Sequence, residues 1–486
     1  MCRFCRRNLG LQNKEYPSPH LSSRSAQPAC GERAEILENI GRPTGPWLQL
    51  LVLYSEAMRI LVIGSGGREH ALTWKVRQSP HADQIFCAPG NAGTGEIAEN
   101  VAIPVSDFTA LVKFAKENSV DLTVVGPDDP LAAGIVDLFT SEKLRVFGPD
   151  KSAARIESSK IFAKELMLTQ KIPTAEARPF SNSSDALHYC ERLTFPIVIK
   201  ADGLALGKGV VIAADAATAR STIDDMMNQK RFGDAGRRIV IEDFLRGTEC
   251  SLHALVDGKN YLLMESARDH KRALDGNQGP NTGGMGAFSP ADNWDRKLQS
   301  RFDTEIMEPL LGGLIKEGVT FRGLLYPGLI ITSDGPRVLE FNCRFGDPET
   351  QALLPRMKSD LLSLLEATID GKIEQCAIEW DARTSVTVVL ASGGYPGKYE
   401  TGKSISGLDK AAELQDVQIF HAGTKRNGSD VKTAGGRVLS VTALGSTLEK
   451  ARARAYEAVS QIHFENCRYR RDIALHPVVA NMSELL

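Results

Sequence analysis

The sequence predicts a multidomain chain of α/β and α+β type. An N-terminal α/β domain on a parallel sheet comes first, then a central region of two subdomains, then a small C-terminal α+β domain. Three observations predict this. From Met58 onward short apolar strands alternate with amphipathic helices, the pattern of a parallel sheet covered on both faces. Past Asp150 the order changes to strands joined by Gly-rich loops, and near Thr384 a new strand series begins. The length of 486 residues gives ample surface to bury as several cores.

The elements follow in order. "RILVIG" reads as a strand, "REHALTWKVRQS" as a helix, and "QIFCAPG" as a strand and turn. "FTALVKFAKENSV" is a helix, "DLTVVGP" a strand, "PLAAGIVDLFTSEK" one helix and "RVFGP" a strand. "SAARIESSKIFAKELMLTQ" reads as one helix stopped by Pro173. "FPIVIKADGLALGKGVVIA" is strand, Gly-rich loop, strand; residues 237–258 and 261–272 supply further strands. "DGNQGPNTGGMGAFSP" is a Gly-rich loop too long to be mere connection. A helical stretch over 293–318, strands near 323–332 and 337–342, and the helix "PRMKSDLLSLLEATIDG" complete the central region. "SVTVVLASGGYPG", "VQIFHAGT" and "GRVLSVTALG" are the last strands, followed by a helix over 447–464.

Residues 1–57 stand apart, with Ser, Pro, Arg and Gly spread without periodicity. A translation start placed too far upstream is the favoured expectation. A targeting peptide is opposed by Glu15, Glu32, Glu35 and Glu38, and a disordered tail is the third reading.

Composition excludes several classes. The net charge of -2 is evenly mixed and leaves no basic footprint for nucleic acid. No apolar run reaches the roughly 18 residues of a membrane span. Nine cysteines are scattered; Cys2 and Cys5 have only Cys30 nearby, which completes no zinc set. Free thiols in a reducing cytoplasm are expected, with a monomer or weak oligomer.

The residues that carry chemistry lie on the loops. "GSGGREH" ends a strand and opens a helix, where backbone N–H groups favour an anion; the alternative is a tight turn without a ligand. The following strand ends "CAPGN" without the acid a dinucleotide site needs, which disfavours an oxidoreductase. In "IKADGLALGKGV", Lys200 ends a strand and Lys208 lies among Gly203, Gly207 and Gly209. Gly209 stands where a Walker A loop requires Ser or Thr, yet the hairpin suits a triphosphate. Glu242 and Glu249 in "VIEDFLRGTE" suit a ribose or an adenine amino group. In "RVLEFNCRFGDPET", Glu340 and Asn342 share one face of a strand, because successive side chains alternate. Two hard oxygens fit Mg²⁺, which takes the rest from phosphate and water; the alternative is a cross-sheet ion pair. Arg344 follows on the same alternation, placed to stabilise charge on a transferring phosphoryl group.

The fragments "ILVIGSGGREHAL", "APGNAGT", "VVGPDDPLAAGIVD", "IVIKADGLALGKGV", "DHKR", "GPNTGGMGAFSP", "EFNCRFGDPETQ" and "HAGTK", in this order, resemble the glycinamide ribonucleotide synthetase family of the ATP-grasp superfamily. The resemblance runs from Met58 to about residue 475. It implies that ATP phosphorylates the carboxylate of glycine, and that the amine of 5-phosphoribosylamine attacks the glycyl phosphate. By the same resemblance Lys160, Lys200 and Lys208 face ATP, with the loop of Gly203, Gly207 and Gly209 over its phosphates. Glu242, Asp243, Phe244 and Leu245 frame the adenine, and Glu249 takes the ribose. Glu340 and Asn342 hold Mg²⁺ or Mn²⁺. Arg344, Lys208, Asp269 and Lys271 carry catalysis. Arg272, Asn281, Thr282, Gly283, Gly284 and Asp347 order the substrates, and the turn with Gly66 and Gly67 draws the phosphate of phosphoribosylamine. The implied domains are 58–157, a central ATP-grasp domain over 158–383 with its small lid at about 175–247, and 384–478. Two departures touch no expected ligand: Leu206 in place of a small residue, and Pro327 on a predicted strand.

Overall fold

The computed structural model describes residues 57–205 and 209–475. The expectations for the N-terminal extension and for Leu206, Gly207 and Lys208 lie outside the described residues.

The N-terminal segment forms a five-stranded sheet in the order Glu99–Asn100, Ala82–Pro89, Met58–Gly64, Leu122–Val125, Val146–Phe147, all parallel. Ile60, Leu61, Val62 and Ile63 are all buried, as expected of a strand with both faces covered. The order reverses at Met58–Gly64, so the turn after it sits at the crevice beyond the carboxyl ends of the strands. The predicted helix over 130–143 is two, Asp128–Ala133 and Ile135–Ser141, broken at Gly134 with φ 95°. The helix predicted over 152–170 is also two. Ser159 at φ -131° interrupts it and its hydroxyl accepts from the Phe162 N–H, starting the second helix Lys160–Thr169.

The central region holds two antiparallel sheets of four and five strands. The smaller, in the order Ala177–Phe180, Ile239–Asp243, Ile197–Ala201, Val210–Ala213, covers its own core with the helices Ser183–Cys190 and Ala216–Ile223. Neither helix is apparent in the sequence, being short and polar. In the larger sheet the long strand Arg322–Thr332 pairs with Gly335–Asn342 on one edge and with Thr248–Ser251 and Ala254–Asp257 on the other. Pro327 falls opposite the gap between those two short strands. There Leu252 N–H donates to Pro327 O at 3.3 Å, and the ladder lacks only the bond a proline cannot give.

The third antiparallel sheet crosses the expected domain boundary. Its order is Arg268–Asp269, Gly286–Ser289, Thr384–Ala391, Arg437–Gly445, Val417–His421. Two of the five strands come from residues before 290. The Gly-rich stretch 275–290, predicted as loop, contains strand Gln278–Asn281, paired with Arg272–Leu274, and strand Gly286–Ser289. Strand pairing takes up part of its backbone, and Gly276 N–H and Gly283 N–H donate instead to Asp472 Oδ2 and Tyr395 Oη, a pattern that the glycine content had disguised.

Candidate functional site

Three groups of side chains form the site. The first is built on the strand Gly335–Asn342. Val338 and Phe341 enter the core, while Glu340 remains a third exposed. Gly328 lies opposite Glu340, and a Cβ there would stand 3.4 Å from the Glu340 Cγ, so the small residue leaves room for the carboxylate. Lys271 Nζ is 3.2 Å from Glu249 Oε2 and 3.9 Å from Glu340 Oε1. The longer contact is beyond hydrogen-bond reach, so Glu340 keeps lone pairs for another ligand. Partial burial opposes its charge, but Lys271, Lys200, Lys160 and Arg344 together hold the carboxyl below its ordinary range. Asn342 is buried; its Nδ2 donates to Tyr326 O at 3.3 Å and its Oδ1 accepts from Arg344 at 3.4 Å. Glu157 Oε1 stands 3.3 Å from the same guanidinium, and Glu157 Oε2 accepts from the Cys343 N–H at 2.7 Å.

A divalent cation fits this donor set. The residues supply one ionised carboxylate and one amide oxygen, both hard. Among the described residues no group of three or more His, Cys, Asp or Glu forms a ready cage, which suits an ion that keeps phosphate and water ligands.

Beneath lies a buried polar layer. Tyr326 Oη donates to Glu349 Oε1 at 2.6 Å, Ser251 Oγ lies 3.0 Å from Tyr326 Oη, and the His253 ring stacks on Tyr326 at 4.3 Å. Gly346 N–H donates to His253 Nε2 at 3.2 Å, and burial pushes His253 down to about 3, so it stays neutral. Burial pushes Asp269 well above the usual carboxylate range, against Lys271 and helped by Glu349 and Glu249. Its Oδ1 is buried with no hydrogen-bond partner among the described residues.

The second group joins the smaller sheet to the larger one. Glu242, 3% exposed, is the last residue but one of the strand Ile239–Asp243. Its Oε2 lies 2.9 Å from Lys200 Nζ and 3.1 Å from Lys164 Nζ, while Oε1 is buried with no hydrogen-bond partner among the described residues. Lys200 Nζ also donates to Leu339 O at 2.9 Å. Lys160 Nζ donates to Gly203 O at 3.2 Å, tying the helix Lys160–Thr169 to the loop that leads to Gly209. Asp243 is exposed, and its N–H donates to Glu176 O at 3.0 Å; the Arg246 guanidinium lies 6.0 Å from the centre of the Phe244 ring.

The third group centres on Asp347. Arg437 donates to Asp347 Oδ2 at 2.9 Å, to Asp347 O at 2.7 Å and to Gly283 O at 2.8 Å. Gln351 Nε2 donates to Asp347 Oδ1 at 2.8 Å. Thr282 N–H and Oγ1 both donate to Lys271 O at 2.8 Å, which links this group to the first. Arg272 instead donates to Gly279 O at 2.8 Å, inside the hairpin that also holds Asn281. Gly66 borders the group, since a Cβ there would lie 3.6 Å from Asp347 Oδ2. Glu69 Oε2 already accepts from the Gly66 N–H at 2.6 Å, and a Cβ on Gly67 would come within 2.6 Å of Gln351 Nε2. The geometry of this turn therefore favours close packing over a free N–H for an anion. His70 is equally committed, its Nδ1 accepting from the His421 N–H at 2.8 Å.

Gly284 has φ 114°, and a Cβ there would meet Pro348 Cδ at 2.4 Å. Gly284→Ala is expected to destabilise the chain by about 1–3 kcal/mol through backbone strain alone, with the clash in addition. A urea midpoint within error of the parent would refute this.

Sequence reasoning missed Lys164, Glu157, Tyr326, Glu349 and Arg437. Lys164 had a signal: it lies three residues from Ile161 and from Met167, on the buried side of its helix.

Comparison with known proteins places these groups in context. Residues 58–157 match the model described as phosphoribosylglycinamide synthetase, N domain; residues 158–350 match its ATP-grasp (A) domain, and residues 385–476 its C domain. The chain is 50% identical over 426 residues to the phosphoribosylamine–glycine ligase of Allochromatium vinosum, covering 87% of this chain and 99% of that one. The crystal structure of the Thermotoga maritima phosphoribosylamine–glycine ligase is similar at 34% identity and a TM-score of 0.74, over 85% of this chain and 100% of that one. The biotin carboxylase domain of the Hydrogenobacter thermophilus 2-oxoglutarate carboxylase, in complex with MgADP, ADP and bicarbonate, shares the fold. Its TM-score is 0.66 at 12% identity, over 86% of this chain and 92% of that one.

Proposed function

The chain belongs to the phosphoribosylglycinamide synthetase family, and on that premise we propose how its own residues carry the reaction. It is an ATP-grasp ligase that joins glycine to 5-phosphoribosylamine, forming glycinamide ribonucleotide, ADP and phosphate. The observation that carries the residue assignment is the cluster of cations about the end of the strand Gly335–Asn342: Lys271 Nζ lies 3.9 Å from Glu340 Oε1, Lys200 Nζ donates to Leu339 O at 2.9 Å, and Arg344 donates to Asn342 Oδ1 at 3.4 Å. So many cations around one acid suit a polyanion brought there by a metal.

Glu340 and Asn342 would hold the divalent ion, Mg²⁺ or Mn²⁺, which supplies charge neutralisation between phosphate groups. ATP lies between the smaller and larger sheets, with its base at Glu242 to Leu245, its ribose at Glu249 and its phosphates near Lys160, Lys200 and the loop from Gly203 to Gly209 that includes Lys208. The glycine carboxylate attacks the terminal phosphorus and ADP leaves. The amine of phosphoribosylamine then attacks the acyl carbon, phosphate departs, and the amine gives up a proton. Arg344, held by Glu157, stabilises the charge on the moving phosphoryl group. Asp269 and Lys271 orient glycine. Arg272, Asn281 to Gly284, Asp347 and the Gly66–Gly67 turn shape the phosphoribosylamine pocket. Catalysis is mainly positioning and charge stabilisation.

We assign the domains as 58–157, 158–383 with a lid at about 175–247, and 384–478. Among the described residues no helix is long and apolar enough to cross a membrane; the setting proposed is the cytoplasm, as a monomer or weak oligomer without nucleic-acid partners.

The test is ADP release from ATP and Mg²⁺ with glycine and phosphoribosylamine added singly and together. Release that requires both is expected. Release driven by bicarbonate or another acid would leave the fold and overturn the substrate assignment.

A further inference from the structure

We propose that Lys164 is a positioning residue that fixes Glu242 and thereby sets the preference for adenine over guanine nucleotides. This deepens the reading above and rests on its placement of Glu242 at the base.

Glu242 is a carboxylate with two unequal oxygens. Oε2 is shared by Lys164 at 3.1 Å and Lys200 at 2.9 Å. Oε1 is buried with no hydrogen-bond partner among the described residues, a costly state for a carboxylate oxygen unless a bound molecule donates to it. An ionised carboxylate only accepts. The 6-amino group of adenine donates, whereas the 6-oxo group of guanine accepts and would face the carboxylate as a second acceptor.

The two lysines are not equivalent. Lys200 leaves the smaller sheet, donates to Leu339 O and is assigned to the phosphates. Lys164 comes from the helix Lys160–Thr169 and is 5% exposed. It donates to Thr174 Oγ1 at 2.7 Å, and that hydroxyl donates to Val338 O at 2.7 Å. Lys164 therefore anchors Glu242 to both the helix and the larger sheet, and retains it when the Lys200 ammonium turns toward a phosphate. The charged groups facing this cluster are Glu242, Lys200 and Arg337, which donates to Thr174 O at 3.3 Å. Burial lowers Lys164 to about 8, opposed by Glu242 and assisted by Lys200. The anchor loses its charge as pH rises through that value.

The experiment uses the full chain and measures MgATP and MgGTP binding by calorimetry, without glycine or phosphoribosylamine, for Lys164→Met and Lys164→Arg. A failed ligase assay thus leaves the result readable. The Met variant is expected to bind MgATP about tenfold more weakly with MgGTP unchanged, and to raise KM for ATP more than it lowers kcat. Wild-type ATP affinity should fall as pH passes through about 8, and the Arg variant should keep the ATP preference without that fall. An unchanged ATP-to-GTP ratio in the Met variant would overturn the proposal. If the Met variant does not fold, the Arg variant decides alone: an alkaline limb identical to wild type overturns it, and a lost limb supports it.

Discussion

Glu340→Ala is expected to slow ADP release by on the order of 10²–10³-fold while the protein stays folded and melts at a modestly lower temperature, since a carboxyl held below its ordinary range contributes some stability at neutral pH. Both halves follow from the surroundings of one carboxylate. Its side chain is a third exposed, and Val338 and Phe341, not Glu340, secure the strand to the core. Removing the acid leaves Lys271 with Glu249 at 3.2 Å, so no cation is stranded in the interior. What disappears is the anion on which Lys271, Lys200, Lys160 and Arg344 converge, and with it half of the proposed metal donor pair. Glu340→Gln keeps the shape and removes the charge; it should fail nearly as badly. Single-turnover ADP formation and a circular dichroism melt check both expectations. Turnover at the parent rate would remove Glu340 from the metal assignment.

Arg437→Ala should cost about 3–5 kcal/mol of stability and raise KM for phosphoribosylamine. The guanidinium makes hydrogen bonds to Gly283 O, Asp347 O and Asp347 Oδ2. Its loss leaves a mostly buried carboxylate with Gln351 as its remaining side-chain donor. Burial pushes the Asp347 carboxyl upward, but Arg437 and Arg68 with Gln351 bring it below the ordinary carboxylate range. A depressed carboxyl contributes stability above its unfolded value of about 3.9, and loses it as pH falls through the lower, folded value. In the variant that contribution should be absent near neutral pH. Urea midpoints between pH 3 and 7 test this. A loss below about 1 kcal/mol, the range of exposed pairs, would show that the joint is not structural.

Much of this architecture was legible because it is local. Alternating apolar runs from Met58 specify the parallel sheet, and a Glu and an Asn two apart in a strand must share a face. The strand register bears on the same carboxylate, with Gly328 opposite Glu340. What the sequence hid is mostly long-range. Arg437 lies 90 residues from Asp347, and an arginine at a strand start has no periodicity to betray its burial. Glu157 meets Arg344 across 187 residues by number (344 − 157). The Gly66–Gly67 turn shows the opposite limit. An anion loop and a tight turn share one spelling, and what bears on the choice is the packing of Gly66 on Glu69 and of Gly67 on Gln351.

The sheet assembled from Arg268–Asp269, Gly286–Ser289 and three strands after residue 383 has a consequence for how the molecule comes into being. Asp269, Lys271 and the Thr282–Gly284 bend leave the ribosome first, yet the strands beside them emerge only about a hundred residues later, several seconds of synthesis at cellular rates. Until Thr384–Ala391 arrives, Gly286–Ser289 presents an open edge of the kind that invites wrong partners. The loops proposed to order the substrates are thus among the last parts of the nascent chain to be completed, so a stalled or truncated product holds the residues proposed to face ATP without those proposed to receive the acceptor amine.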